Sequence, residues 1–124
     1  MKNSNKLVQK LLIHLIRKKT TPGQIDEMLE ELDPIIKLAV DTRRQILAGG
    51  GEMHADCESV LIKNGSQRED IWGANWIPAK QTIEFEALIN IRPHQQNMAM
   101  AMEIQDPATK QQVEAIVRKL LGRI

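Results

Sequence analysis

A chain of 124 residues with 42% apolar and 27% charged side chains reads as one soluble globular domain, residues 1–124, with room for a single core. Its net charge of +1 argues against sequence-independent nucleic-acid binding, which needs an excess of Lys and Arg to neutralise phosphates. Trp72, Trp76 and Phe85 are the only aromatic residues, too few for a base-stacking platform.

The first twenty residues hold Lys2, Lys6, Lys10, Arg17, Lys18 and Lys19 and no acid. Val8, Leu11, Leu12 and Leu15 recur at i, i+3, i+4 and i+7, one face of a helix, and Leu7, Ile13 and Ile16 widen that stripe. A signal peptide is not the reading, because Gln9, Lys10 and His14 interrupt the apolar run and no small-residue cleavage site follows. No run of 18 apolar residues offers a membrane span. Cys57 stands alone and has no partner for an internal disulfide, so a cytoplasmic setting is expected.

A second helix starts at Thr21, with Pro22 at its first position and Gln24 completing a capping box. Ile25, Met28, Leu29 and Leu32 form its apolar face, and Asp33-Pro34 ends it. Its acids, Asp26, Glu27, Glu30, Glu31 and Asp33, suggest an antiparallel helical hairpin with the basic N-terminal segment. Two independently solvated faces are the alternative.

From Pro34 the period changes to two. Ile36, Leu38 and Val40 point one way and Lys37, Ala39 and Asp41 the other, which predicts a strand, a turn around Asp41–Arg44 and a second strand from Gln45. The glycines at 49–51 then predict a tight turn into residues 53–63. As a helix this segment places Met53, Cys57, Val60 and Leu61 on one face, with Asn64-Gly65 as a stop. As a strand, alternation holds only over 54–58, so the helix is preferred and a hairpin closed at 64–67 is its rival.

Further on, "EDIWGANWI" puts Trp72, Ala74 and Trp76 on one side of a strand, and Pro78–Gln81 forms a hairpin into "TIEFEALINIR". Pro93 ends that strand, having no N–H for the ladder. Residues 94–105 read as loop, and Asp106-Pro107 opens a last helix with the stripe Val113, Ile116, Val117, Leu120 and Leu121. The fold class expected is α+β: an antiparallel sheet of about four strands, helices on one face and an N-terminal helical hairpin.

The motifs "IIKLAVD", "GGGEMHADCE", "NGSQREDIWGANW", "LINIRP" and "MEIQDP", in that order, resemble those of a family of small bacterial, cyanobacterial-type proteins described only as a domain of unknown function. The likeness spans about Thr21 to Leu121, leaves residues 1–20 outside it, and has an extra "AM" pair in "NMAMAMEIQDP". It implies no activity, ligand or residue role.

Chemistry-bearing residues concentrate in Glu52, His54, Asp56, Cys57 and Glu58. A zinc site wants three or four ligands at a spacing such as HExxH or CxxC, and neither occurs. The glycines lack the Lys-Ser/Thr of a phosphate loop, and the acids beside them repel an anion. Cys57 is directed to the core, where a thiol is inert. Polar residues at the end of a strand, Asn90 and Arg92, are better ligand contacts, and with His54, Asp56 and Glu58 they make the candidate ligand-binding set. The plainer alternative is that Arg92 pairs with acids of the 52–58 segment and pins that loop. Glu84 and Glu86, on one strand face, read as solvated.

No catalytic constellation results, and no cofactor or metal is expected. The first reading is a non-enzymatic binding or regulatory module acting through protein contacts as a homodimer, without membrane or nucleic acid. The alternative is a small enzyme or metal-binding protein using the Glu52–Glu58 packet with Asn90 and Arg92.

Overall fold

The computed structural model of the chain describes residues 13–85, 104 and 106–123. Five strands, β1 (His14–Ile16), β2 (Ile36–Asp41), β3 (Ile46–Gly51), β4 (Ile71–Ile77) and β5 (Thr82–Glu84), form one sheet in the order β1-β3-β2-β4-β5. Every neighbouring pair is antiparallel. Three helices, α1 (Pro22–Leu29), α2 (His54–Lys63) and α3 (Pro107–Leu121), pack on it.

The strand pattern explains why helices are needed on both faces rather than one. Ile36, Leu38 and Val40 enter one core with Leu47, Trp72, Ala74 and Trp76, under Met28 of α1 and the Val113, Ile116, Val117, Leu120 and Leu121 stripe of α3. On the opposite face Ala39, Ile46, Ala48 and Ile71 meet Cys57 and Leu61 of α2. Strands with apolar residues at both odd and even positions expose apolar surface on both sides, and one layer of helices leaves half of it in water. The fold is thus mixed α and β with a five-stranded antiparallel sheet between two helical layers.

The expected N-terminal helical hairpin is not what the described residues form. Residues 14–16 are an edge strand on β3, with Ile16 in the α1/α3 core and Ile13 and Leu15 against the α2 core. A two-sided apolar set such as Ile13, Leu15 and Ile16 satisfies a helical stripe and a strand buried on both faces alike, and pairing with β3 decided between them. Residues 1–12 lie outside the described set. His14 Nε2 stands 3.3 Å from Glu27 Oε1, one contact between the basic and acidic segments.

Helix α1 begins as its sequence dictates. Thr21 Oγ1 accepts from Gln24 N at 3.2 Å, and Gln24 Oε1 accepts from Thr21 N at 3.0 Å, satisfying two orphan donors reciprocally. It ends at Leu29, short of the expected Asp33, and a turn over residues 30–34 follows. At α3, Asp106 Oδ2 accepts from the Thr109 hydroxyl and from Thr109 N, and these bonds hold its carboxyl below the ordinary range.

The glycines at 49–51 are not a turn: they end β3. Leu38 pairs with Gly49 and Lys37 with Gly51, which leaves Gly50 as the extra residue of a β-bulge, at φ 103°. The bulge reverses the facing of the residues after it. Gly49 therefore faces the α1 layer, where an added Cβ would lie 2.7 Å from Leu38 Cδ2 and 3.2 Å from Met28 Sδ. Gly51 faces the α2 layer, 3.3 Å from Cys57 Sγ on the same construction. Beyond the bulge α2 runs from His54 as expected, although Met53, assigned to its apolar face, caps the start and is 60% exposed.

Gly49→Ala and Gly50→Ala each destabilise the fold for different reasons, overpacking against Leu38 and a left-handed backbone at 50. Each loses about 1–3 kcal/mol in chemical denaturation, with the urea slope unchanged. Losses below a few tenths of a kcal/mol would mean that the two layers do not need this close approach.

Candidate functional site

Helix α2 carries the chemistry-bearing packet, and its pitch sorts the packet by direction. His54 and Glu58, four residues apart, lie on one face and are both buried. Asp56 is half-buried in the first turn, near the helix N-terminal N–H groups, and Glu52 is exposed ahead of it.

Beneath this helix runs a row of polar residues in register across three strands. Lys37 of β2 pairs with Asn75 of β4, and Asn75 with Glu84 of β5, so the three side chains share the α2 face. His54 Nε2 lies 3.1 Å from Ala74 O and 3.0 Å from Asn75 Oδ1. Both are acceptors, so Nε2 carries the proton and donates to the pair. Asn75 Nδ2 in turn donates to Glu84 Oε1 at 3.3 Å. The result is a chain His54–Asn75–Glu84 running from a buried helix face to an exposed edge strand.

Of the residues the sequence picked out, the fold brings His54 to this row, buries Glu58 on the same face of α2, and leaves Asp56 half-buried in the first turn. Asn90 and Arg92 lie outside the described residues, as does any pairing of Arg92 with the 52–58 acids. Asn75 was missed, and Glu84 was read only as part of a solvated strand face. A signal existed: Asn75 interrupts an otherwise apolar strand, and the Pro78–Gln81 hairpin sets Glu84 opposite it.

Cys57 is fully buried and donates from Sγ to Lys37 O at 3.4 Å. Burial pushes its thiol up to about 12; the Gly51 backbone hydrogen bond lowers it only in part, Asp56 adds to the rise, and Lys37 opposes it. A thiol with that value carries essentially no thiolate at neutral pH and is no nucleophile. Among the described residues no group of three or more His, Cys, Asp and Glu side chains is placed to hold a metal ion. None of the described helices is long and apolar enough to cross a membrane.

A second concavity lies on the other face. Pro22, Ile25 and Leu29 of α1, Pro78 and Ala79 of the β4–β5 turn and Leu121 at the end of α3 line a half-open groove of about 540 Å³. Its walls are tied together. Thr20 N and Oγ1 both donate to Leu120 O at 2.9 Å, and Arg123 N donates to Gln81 Oε1 at 2.8 Å. Lys19 Nζ contacts Gly122 O, and Asp26 adds a carboxylate to the lining.

The sequence pattern of a family described as "Protein of unknown function (DUF5674)" matches residues 14–120. The chain belongs to that family. The match starts at the first residue of β1 and ends inside α3, so it takes in all five strands and begins earlier than the Thr21 expected from the motifs. No curated protein and no solved structure matches the chain.

His54 is buried and hydrogen-bonded, so its removal is costly. His54→Ala deletes a buried ring and leaves Asn75 Oδ1 without its donor, so it destabilises the family's α2–β4 contact by about 1–3 kcal/mol. Urea denaturation of His54→Ala beside Asp56→Ala measures it, with Asp56→Ala well below that loss. Equal, negligible losses would remove the structural role of the His54–Asn75–Glu84 chain.

Proposed function

We propose that the protein is a small non-enzymatic binding or regulatory module acting through protein–protein contacts, with a second copy of its own chain as partner. One observation carries the reading. The fold leaves an apolar groove of about 540 Å³ open beside an acidic helix, while residues 1–12 contain Lys2, Lys6 and Lys10, the apolar Leu7, Val8, Leu11 and Leu12, and no acid. Asp26 lines the groove, and Glu27, Glu30, Glu31 and Asp33 follow it in sequence. An apolar segment suits that groove in hydropathy, and its lysines suit the acids of α1 beside it, while Lys19 and Arg123 also stand in the lining.

Ile13, Leu15 and Ile16 are taken up by the two cores, so the apolar residues of the basic segment that remain for dimer contact are Leu7, Val8, Leu11 and Leu12. A bacterial and cytoplasmic setting, drawn from the motif resemblance and the lone cysteine, belongs to the same proposal.

A second reading has its own observation in the polar row under α2. There a small enzyme or ligand-binding protein would use the Glu52–Glu58 packet with Asn90 and Arg92, and Glu84 of β5 leads by sequence toward those two residues. Against it stands the use of His54 Nε2 as a structural donor.

Sedimentation equilibrium at micromolar concentration separates the two. The full chain is a dimer, a chain starting at Ile13 is a folded monomer, and Ala79→Glu on the exposed groove rim weakens the dimer about tenfold or more. A monomeric full chain, or a dimer that survives both changes, sinks the reading.

A further inference from the structure

At the end of the sheet opposite the polar row, two arginines meet on one neutral oxygen. Arg17, which follows β1, donates from its NH2 group to Asn64 Oδ1 at 2.8 Å. Arg44, in the β2–β3 turn, donates to the same Asn64 Oδ1 at 2.8 Å and to Ser66 Oγ at 2.8 Å. The two guanidinium nitrogens are therefore within twice that distance of each other, and neither group pairs with a carboxylate among the described residues.

Each part of this corner is fixed by the chain around it. Asp41 Oδ1 accepts from Arg43 N at 2.9 Å and Arg44 N at 3.0 Å, which shapes the turn that presents Arg44. Helix α2 stops in a Schellman motif: Ser66 N donates to Leu61 O and Gly65 N to Ile62 O, with Gly65 at φ 104°. That stop places Asn64 and Ser66 on either side of Arg44. The other acid at this corner, Asp70, is engaged by Arg43 Nε at 3.0 Å.

Structural needs account for one arginine here, because the C-terminus of a helix offers roughly half a negative charge and favours a cation. They do not account for two. Two full positive charges converge on a dipole of that size and an uncharged amide, and among the described residues neither guanidinium pairs with a carboxylate; Asp41, at the base of the turn, accepts from backbone N–H groups, and Asp70 is taken by Arg43. Ser66 is buried, and its Oγ accepts from Arg44. Its own hydroxyl proton has no acceptor among the described residues.

We propose that Arg17, Arg44 and Ser66 form an anion site for a phosphate monoester dianion. A tetrahedral dianion presents enough oxygens to take a forked pair of N–H bonds from each guanidinium and the hydroxyl proton of Ser66. It bridges the two like charges that Asn64 holds together, and Asn64 Oδ1 serves as the placeholder acceptor that keeps both forks aimed at one point. The site is independent of the groove and of the dimer proposal, because Arg17, Arg44 and Ser66 do not line the groove.

Titration of the full chain with inorganic phosphate at constant ionic strength, followed by amide NMR, tests the site, with chloride as the control for screening. Saturable shifts are expected at Arg44, Asn64, Gly65 and Ser66. Arg17→Gln weakens binding about tenfold or more, since it removes charge-assisted bonds. Arg17 is exposed, so this variant tests the site without disturbing the turn; Arg44→Gln is read only where its amide spectrum is that of the folded protein. Co-sedimentation with phosphatidylcholine vesicles containing phosphatidic acid asks whether the source is a lipid headgroup. Saturable binding to phosphate alone assigns a soluble phosphate, and vesicle binding assigns a headgroup, provided that Arg17→Gln weakens each. No saturable response to either probe, or a response unchanged in folded Arg17→Gln, overturns the proposal.

Discussion

A sheet covered on both faces must let two helical layers come within side-chain distance of one strand, and in this chain that happens at residues 49–51. Gly49 lies under Met28 of α1, and Gly51 lies under Cys57 of α2. Alternation alone would send 49 and 51 to the same face; the bulge at Gly50 sends them to opposite faces. Removing the side chains at all three positions lets the backbone do what a regular strand cannot. The position of α2, and with it the burial of His54 and Glu58, follows from that arrangement.

This puts the packet of acids, histidine and cysteine in a different light from the one its composition suggests. Cys57 fills the space over Gly51, and His54 reaches across to Asn75. Buried polar groups of this kind are costly unless satisfied, and a satisfied chain fixes one arrangement of helix on sheet. Specific placement, rather than reactivity, accounts for the histidine and the thiol. The surfaces left for partners are then the groove beside α1 and the arginine corner at the β2–β3 turn.

Much of the fold was legible where a local rule dominates. The capping box at Thr21, the Asp106 cap, the alternation of Ile36 to Asp41 and the facing of Trp72, Ala74 and Trp76 all depend on neighbours within a few residues. The errors came where pairing partners decide. Ile13 to Ile16 fit a helical stripe and became an edge strand because β3 offered hydrogen bonds. The glycines at 49–51 fit a turn and became a bulge because β3 keeps its pairing with β2 as far as Gly51. In the candidate site, His54 and Glu58 were legible from helical spacing, whereas Asn75 and Glu84 required the register of the β4–β5 hairpin. Arg17 and Arg44 are 27 residues apart, and only the sheet brings them to Asn64.

If the bulge and the His54–Asn75–Glu84 chain clamp α2 to the sheet, that helix cannot open by itself. Native-state hydrogen exchange measures this directly, residue by residue. The account predicts that amides within α2, such as those of Cys57, Val60 and Leu61, exchange only with the free energy of global unfolding, together with those of β2 and β4. Exchange of α2 through a local opening several kcal/mol cheaper than unfolding of the sheet would contradict it.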